Sequence, residues 1–252
     1  MVRVIVYNIG YCQGISGNWW QYLKFWTTFF HPRKIERSII EELKKHNPDI
    51  IGLIEIDFGS IRSRKDMANF FARNLNMGYV VQKIKYPKKG LLKLFHLIPI
   101  LRKQGNAIIS KYPLENIRYH HLSVGTKRTV IEASIKIPKK ITILLAHLAL
   151  GKNTRLIQIK ELTNIVKKIK NSVILMGDFN TFDGKKEIND LLINTNLNDK
   201  YNISSKNINT YPSFTPNKRI DYILTSNKLK VKQHKPLKLK LSDHLPVLLD
   251  FT

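Results

Sequence analysis

Short apolar runs rich in valine and isoleucine recur along the chain, and they constrain its fold more than any other feature. Their length, and the polar or turn-forming residues that bound them, are typical of buried β-strands. Nine runs predict strands, at residues 2–7, 50–54, 80–84, 106–109, 130–137, 141–146, 173–176, 220–225 and 247–251.

Apolar residues at helical spacing predict helices between some of these strands. One helix begins after Pro32 and has an apolar face that comprises Ile35, Ile39, Ile40 and Leu43. A second has an apolar face that comprises Leu156, Ile159, Leu162, Val166 and Ile169. Shorter helices are predicted at residues 66–75 and 185–192. Strands alternate with helices in places and follow one another in others, which favours an α/β sandwich over a doubly wound sheet.

The chain has no internal repeat and no linker rich in proline, glycine or serine, so residues 1–252 predict a single domain. Two segments fit the alternation poorly and are predicted insertions, at residues 13–31 and 86–103. The first contains seven aromatic residues between Trp19 and Phe30, and the second contains an apolar run from Leu91 to Leu101. A helix packed on the domain's own core is the alternative interpretation of each.

Basic residues far outnumber acidic ones. Lysine and arginine number 43 against 18 aspartate and glutamate, a formal net charge of +25. No acid occurs in residues 1–35, 67–114 or 222–242. Such a charge favours polyanionic partners, which are nucleic acid or an anionic membrane surface, and it implies no protein partner. A generally lysine-rich surface is the simpler alternative.

The cysteine content, the first residues and the distribution of charged residues bear on the cellular compartment. Cys12 is the single cysteine, which excludes an internal disulfide framework. The first residues predict a strand, with no basic lead and no cleavage site, so we expect no secretory signal. No window of 18 residues is free of charge, so we also expect no spanning helix. These features predict a cytoplasmic protein, with peripheral association at a membrane as an alternative.

Polar residues with metal-binding or catalytic side chains stand at the ends of several predicted strands. They are Asn8, Glu55, His147, Asp178, Asp221, Asp243 and His244. A single aspartate at a strand end is usually a turn former or helix cap. Several in one chain suggest instead a shared rim, where carboxylate oxygens could hold Mg²⁺ or Mn²⁺.

The motifs around these residues resemble those of the endonuclease/exonuclease/phosphatase superfamily, which includes deoxyribonucleases, abasic-site endonucleases, sphingomyelinases and inositol phosphatases. The resemblance covers residues 4–251 and rests on four segments: Gly105-Asn106-Ala107-Ile108-Ile109-Ser110, Ala146-His147-Leu148, Gly177-Asp178-Phe179-Asn180 and Ser242-Asp243-His244. It implies an α/β fold that is a four-layer sandwich, with two packed β-sheets flanked by helices.

The resemblance also implies roles for individual residues. Glu55 would hold Mg²⁺ or Mn²⁺, and Asn8 and Asp243 would line its site or a second metal site. Five would form the catalytic group, namely His147, Asp178, Asn180, Asp221 and His244. Two would contact substrate phosphate, namely Arg128 and Asn106.

Within the catalytic group, the resemblance makes Asp221 the hydrogen-bond partner of His244. Asp178 and Asn180 would position the attacking water and the phosphate, and His147 would donate to the phosphate or to the leaving oxygen. The base that takes the proton of the water is left open between His244 and Asp178.

Three functions are compatible with the sequence, and a divalent-metal-dependent phosphodiester hydrolase that acts on DNA or RNA is favoured among them. Abasic-site specificity is disfavoured, because Ala146-His147-Leu148 replaces the Tyr-x-Pro-Asn segment of that group. A phospholipid phosphodiesterase is the alternative, in which the two predicted insertions enter an anionic membrane surface. A non-catalytic polyanion-binding module is the third, and the full set of ligand-type residues argues against it.

Overall fold

The structure is a computed structural model that describes residues 1–18, 33–85, 98–99, 101–201 and 208–252. Most of the two predicted insertions, including the aromatic segment at 19–30 and the apolar residues 91–97, lies outside the described residues. The domain count and the insertions therefore stay predictions.

The described chain contains twelve strands and four helices. The strands are β1 (Val2–Asn8), β2 (Ile50–Asp57), β3 (Tyr79–Ile84), β4 (Gln104–Ser110), β5 (Glu115–His121), β6 (Thr129–Ile137), β7 (Lys139–His147), β8 (Ser172–Asp178), β9 (Leu197–Asn198), β10 (Asp221–Ser226), β11 (Val231–Pro236) and β12 (Val247–Phe251). The helices are α1 (Arg33–His46), α2 (Met67–Asn74), α3 (Lys152–Lys167) and α4 (Asn189–Asn194). Short 3₁₀ turns occur at Gly10–Cys12 and Lys185–Ile188. No helix in this part of the chain combines the length and apolar character that crossing a lipid bilayer requires.

The strands form two six-stranded sheets of mixed direction. The order in the first is β11-β12-β1-β2-β4-β3, and in the second it is β5-β6-β7-β8-β10-β9. In each sheet one central pair is parallel, β1 with β2 and β7 with β8, and the other pairs are antiparallel. All nine predicted strands are present, and these sheets confirm the predicted α/β sandwich.

Three layers of apolar packing hold the sandwich together. Between the sheets, residues such as Val6 of β1 and Met176 of β8 share one core. On the outer face of the first sheet, α1 and α2 contribute Leu43 and Phe71, both fully buried. On the outer face of the second sheet, α3 packs Leu162 against its strands. The helices therefore flank the sheets on both sides.

Two glycines allow close backbone packing beneath the rim. A Cβ on Gly52 of β2 would lie 2.8 Å from both Leu145 Cδ1 and Met176 Cε of the opposite sheet. A Cβ on Gly177 would lie 1.8 Å from Ala146 O on the neighbouring strand β7. Since Gly177 directly precedes Asp178, the close pairing of β7 with β8 fixes the backbone from which that carboxylate extends.

The structure corrects three details of the sequence prediction. Leu156 was placed on the apolar face of α3 but is 40% exposed. The predicted helix at 185–192 is a 3₁₀ turn followed by α4. Three edge strands, β5, β9 and β11, were not predicted. Glu115–His121 and Val231–Pro236 are mostly polar and so lack the apolar pattern of a buried strand, and Leu197–Asn198 has only two residues.

A buried ion pair fixes the loop that follows β7. Arg155 of α3 donates from Nε to Glu187 Oε2 at 2.7 Å, and both side chains are 2% exposed. The guanidinium also donates to the carbonyl oxygens of Ala149 and Leu150, at 3.2 and 2.6 Å. The pair thus joins α3 and the 3₁₀ turn at Lys185–Ile188 to the segment just after His147.

We expect Glu187→Ala to destabilise the fold by about 3–5 kcal/mol, because it leaves the Arg155 guanidinium buried without its counter-ion. The matched control is Glu41→Ala, which removes an exposed pair with Lys44 on α1 and should unfold close to wild type. Urea unfolding followed by circular dichroism measures both free energies. Equal midpoints for the two variants would contradict the structural role of the buried pair.

Candidate active site

Strand register brings the predicted site residues to one rim of the sandwich. In the second sheet, Asp178 at the end of β8 is paired with His147 at the end of β7 and with Asp221 at the start of β10. In the first sheet, Asn8 at the end of β1 is paired with Ile54, next to Glu55. Because both sheets end at this rim, polar side chains from distant parts of the sequence converge there.

His244 is held between two carboxylates. Its Nδ1 lies 2.9 Å from Asp221 Oδ2, and its Nε2 lies 3.8 Å from Asp178 Oδ2. Burial alone would lower the pKa of His244, but the charges of Asp221 and Asp178 outweigh it and raise the pKa to about 10. The ring is therefore an imidazolium at neutral pH, and the hydrogen bond between Asp221 and His244 matches the predicted pairing.

The Asp178 carboxylate of the second sheet accepts a hydrogen bond from the first sheet. Asn8 donates from Nδ2 to Asp178 Oδ2 at 3.0 Å, and the backbone N–H of Asn180 donates to Oδ1 at 3.0 Å. His147 Nε2 lies 3.3 Å from Oδ2. Burial opposes ionisation of this carboxyl, but the charges of His244 and His147 hold its pKa well below the usual range.

Asn180 follows in a left-handed backbone conformation, with φ of 51°. Its side-chain Nδ2 donates to the carbonyl oxygen of Leu148 at 2.8 Å, which ties the turn after β8 to the segment after β7. Asparagine tolerates this conformation better than most residues. The structure thus places Asn180 beside Asp178, as the Gly-Asp-Phe-Asn segment indicated.

Glu55 faces a basic neighbour. Its Oε1 lies 3.6 Å from Lys127 Nζ and 4.0 Å from His147 Nε2, and its backbone N–H donates to Asn106 Oδ1 at 3.2 Å. Burial would raise the pKa of Glu55, but the charge of Lys127, together with that of His147 when it is protonated in acid, lowers it overall. The backbone at Glu55 is also left-handed, with φ of 56°, where β2 leaves regular register with β4.

Asp243 lies across a small pocket from Glu55. Ser242 Oγ donates to the carbonyl oxygen of Asn8 at 2.8 Å, so the loop that carries Asp243 is held against the end of β1. Gly10 also lines this pocket. Burial raises the pKa of the Asp243 carboxyl, and the negative charge of Glu55 raises it further, although His244 opposes both effects.

Two groups of side chains could hold a metal ion. Glu55 and Asp243 offer carboxylate oxygens to one pocket, where burial and the negative charge of Glu55 raise the pKa of Asp243. Asp178, Asp221 and His244 also offer donor atoms that lie within 4.8 Å of one another. In that second group Nδ1 of His244 is already engaged by Asp221 Oδ2 at 2.9 Å. The all-oxygen pocket therefore fits a hard divalent cation better. Asn8 lies beside it, with its Oδ1 accepting from the backbone N–H of Gly10 at 3.1 Å.

His147 differs from His244 in its protonation. It is buried, and burial together with the charge of Lys127 lowers its pKa to about 4, against the opposing effects of Asp178 and Glu55. His147 is therefore neutral at pH 7. Its position at the end of β7 was predicted, whereas its surroundings could not be inferred from the sequence.

Lys127 is a site residue that the sequence analysis missed. Arg128 and Asn106 were predicted to contact phosphate, and both line a narrow cleft with His147. Lys127 lines the same cleft and contacts Glu55. Because the chain has 43 basic residues, the sequence does not distinguish Lys127 from other lysines. Its position next to Arg128, just before β6, is the one sequence feature that could have indicated a role in the site.

Comparisons with known proteins agree with this geometry. The sequence profile of the Endonuclease/Exonuclease/phosphatase family matches residues 7–244. A search of the curated proteins finds no match. Many solved structures are similar to this chain.

An endonuclease/exonuclease/phosphatase family protein from Leptotrichia buccalis is 19% identical, covers 100% of both chains and has a TM-score of 0.71. A mannosyl-6-phosphatase from Bacteroides thetaiotaomicron is 15% identical over 100% of both chains, with a TM-score of 0.72. An AP endonuclease from Archaeoglobus fulgidus is 16% identical over 100% of this chain and 99% of its own, with a TM-score of 0.68.

At these identities the structures establish a shared fold. Since the family profile spans nearly the whole sequence, the chain belongs to the endonuclease/exonuclease/phosphatase family, whose members hydrolyse phosphate esters.

Proposed function

We propose that the chain is a divalent-metal-dependent phosphodiester hydrolase that acts on nucleic acid. The observation that carries the proposal is the placement of His244 between Asp221 and Asp178, at the rim where Glu55 and Asp243 share a pocket. This combines a positioned cationic donor, a buried carboxylate and an all-oxygen cation pocket. These are the parts that hydrolysis of a phosphate ester requires.

Glu55 and Asp243 would hold Mg²⁺ or Mn²⁺ in this proposal. When bound, such an ion polarises a phosphate oxygen and offsets negative charge in the transition state. Asn8 keeps Asp178 in place through one hydrogen bond from Nδ2 to Asp178 Oδ2, and Ser242 keeps the Asp243 loop against β1.

The chain's own residues divide the proton chemistry between them. Asp178 is ionised and would accept a hydrogen bond from the attacking water, with Asn180 beside it to orient the phosphate. His244 is protonated and would donate from Nε2 to a non-bridging phosphate oxygen, with Asp221 fixing its ring. His147 is neutral and would donate to the leaving oxygen. Each is a positioned donor or acceptor for charge that develops during the reaction.

Nucleic acid is the substrate class that the charge favours. The cleft beside His147 contains Lys85, Lys127 and Arg128, and the chain has a net charge of +25. Basic side chains at such a rim attract phosphate backbones. The phospholipid alternative depends on residues 19–30 and 91–101, most of which lie outside the described residues. No observation within the described part of the chain supports a membrane partner.

Activity should disappear in excess chelator and return with Mg²⁺ or Mn²⁺, because the proposed ligands are carboxylate oxygens. Glu55→Gln should raise the metal concentration needed for half-maximal activity. Asp221→Asn should lower turnover without changing that concentration. Plasmid nicking measured over a metal titration distinguishes the two variants. A shifted metal requirement in Asp221→Asn would place the ion among Asp178, Asp221 and His244 instead, and full turnover in chelator would contradict the metal dependence.

Asp178→Ala, Asp221→Ala and His244→Ala should each reduce turnover at least about a hundredfold, the usual effect of losing a positioned acid, base or transition-state donor. Asp221 and His244 form one hydrogen-bonded unit, so their double variant should lose little more than either single variant. Initial rates with folded protein test this. Multiplicative losses would refute the pairing.

Nucleic-acid binding should weaken steeply with salt, because each phosphate contact releases counterions. Arg128→Gln should reduce the slope of log affinity against log salt by about 0.9, which corresponds to one lost contact with a duplex. Fluorescence anisotropy between about 50 and 200 mM salt gives both slopes. A flat response of the wild-type protein over this range would argue against a nucleic-acid substrate.

A further inference from the structure

A second cavity, which we call the distal cavity, lies at the end of the second sheet that is opposite to the candidate active site. Strand β8 begins at this cavity with Ser172 and ends in the site with Asp178. Strand β10 begins in the site with Asp221 and ends at the cavity with Ser226. The seven residues of β8 span about 20 Å. A ligand in the distal cavity would therefore lie far from the residues of the candidate active site.

The distal cavity has a volume of about 330 Å³ and is formed by three connections, namely those from α3 to β8, from α4 to β9 and from β10 to β11. Hydrogen bonds join these connections to one another. The backbone N–H of Val173 donates to Ser226 Oγ at 2.8 Å. The backbone N–H of Asn227 donates to the carbonyl oxygen of Asn196 at 3.3 Å. The walls are thus held in place, and the volume falls within the range of small-molecule sites, about 300–1,000 Å³.

The lining of the distal cavity is basic. It includes Lys167, Lys170 and Lys228, and none of the described residues that line it is acidic. The side chains of Lys170 and Lys228 make no hydrogen bond or ion pair with any residue that the structure describes. Lysines near the end of a helix are favoured by the helix dipole, which accounts for Lys167 and Lys170 at and just after the end of α3. It does not account for Lys228, which follows β10. Three cationic residues around one cavity favour an anionic ligand.

Apolar side chains also line the distal cavity. Val166, Val173 and Leu197 are buried, whereas Ile193 is 80% exposed. Single exposed apolar residues are common on protein surfaces. Ile193 is different in that it adjoins a cavity whose lining is partly apolar and whose charge favours a ligand. A ligand with a flat apolar ring would remove the Ile193 side chain from water.

Asparagine side chains supply hydrogen-bonding groups to the same cavity. Its lining includes Asn171, Asn194, Asn196 and Asn227. The amide of Asn196 makes no hydrogen bond to another described residue and is exposed. An asparagine amide presents a donor and an acceptor side by side, which matches the edge of a nucleobase. The cavity therefore combines cationic, apolar and amide groups.

We propose that the distal cavity binds a nucleoside monophosphate, with its phosphate at the lysines and its base against Ile193 and within reach of Asn196. A phosphate monoester carries close to two negative charges at neutral pH, which suits a lining with three lysines and no acid. A sugar phosphate offers the charge without the apolar ring. The inference does not rest on the proposed function, because the cavity shares no residue with the candidate active site.

Calorimetry in excess chelator tests the distal cavity without turnover. Wild type should bind adenosine monophosphate, and Lys170→Gln and Lys228→Gln should each bind it about tenfold more weakly, the loss of one charge-assisted contact. Lys168→Gln is the matched control, because Lys168 carries the same charge at the end of α3 but does not line the cavity. It should bind the nucleotide as wild type does. Equal weakening in all three variants, or no binding to wild type, would overturn the proposal.

Two further variants separate the distal cavity from the active site and the base from the phosphate. His244→Ala should retain the binding that Lys228→Gln loses, and its loss there would place the nucleotide in the candidate active site and reject the distal cavity. Ile193→Ser should weaken binding of adenosine monophosphate about fivefold and leave that of ribose phosphate unchanged, because only the nucleotide has a ring that covers Ile193. Equal affinity of wild type for adenosine monophosphate, ribose phosphate and inorganic phosphate would indicate a site for any small anion and refute the nucleotide.

Discussion

The hydrogen bond from Asn8 Nδ2 to Asp178 Oδ2 joins the two sheets at the rim where the site lies. Asn8 ends β1 in the first sheet and Asp178 ends β8 in the second, 170 residues apart in sequence. The sheets also pack closely at Gly52, where a Cβ would lie 2.8 Å from both Leu145 Cδ1 and Met176 Cε. The position of the site residues of one sheet relative to those of the other depends on this approach of the two sheets.

The centre of the site is acidic, whereas the chain as a whole is strongly basic. The protein has a net charge of +25, yet the centre of the site consists of four carboxylates, namely Glu55, Asp178, Asp221 and Asp243. Buried carboxylates without counter-ions are destabilising. His244 and Lys127 neutralise part of this negative charge. The carboxylates of Glu55 and Asp243, which line one pocket, would be neutralised further by a bound cation. In the proposed function, the surrounding basic residues would attract an anionic substrate to a site whose own carboxylates would otherwise repel it.

The buried strands and the polar residues at their ends could be predicted from the sequence. A buried strand appears in the sequence as an apolar run, and a polar residue directly after such a run is easy to recognise. It could not predict which strand pairs with which, so the juxtaposition of His147, Asp178 and Asp221 followed only from the register. Edge strand β5 was missed because exposure removes the apolar pattern. Lys127 was missed because its role depends on a contact with Glu55, 72 residues away, that leaves no local signature. The buried pair of Arg155 with Glu187 was missed for the same reason.

The two histidines of the site lie in environments that push their pKa values in opposite directions. His244, between Asp221 and Asp178, has its pKa raised to about 10, whereas His147, buried beside Lys127, has its pKa lowered to about 4. When two titratable groups in one site are separated in this way, the environments themselves indicate which is the charged donor and which is the neutral one. In the proposed function, this division would place His244 at a phosphate oxygen, where negative charge develops, and His147 on the leaving-group side. Burial is the main cause of the lowered pKa of His147, and the charge of Lys127 in the same corner of the rim lowers it further.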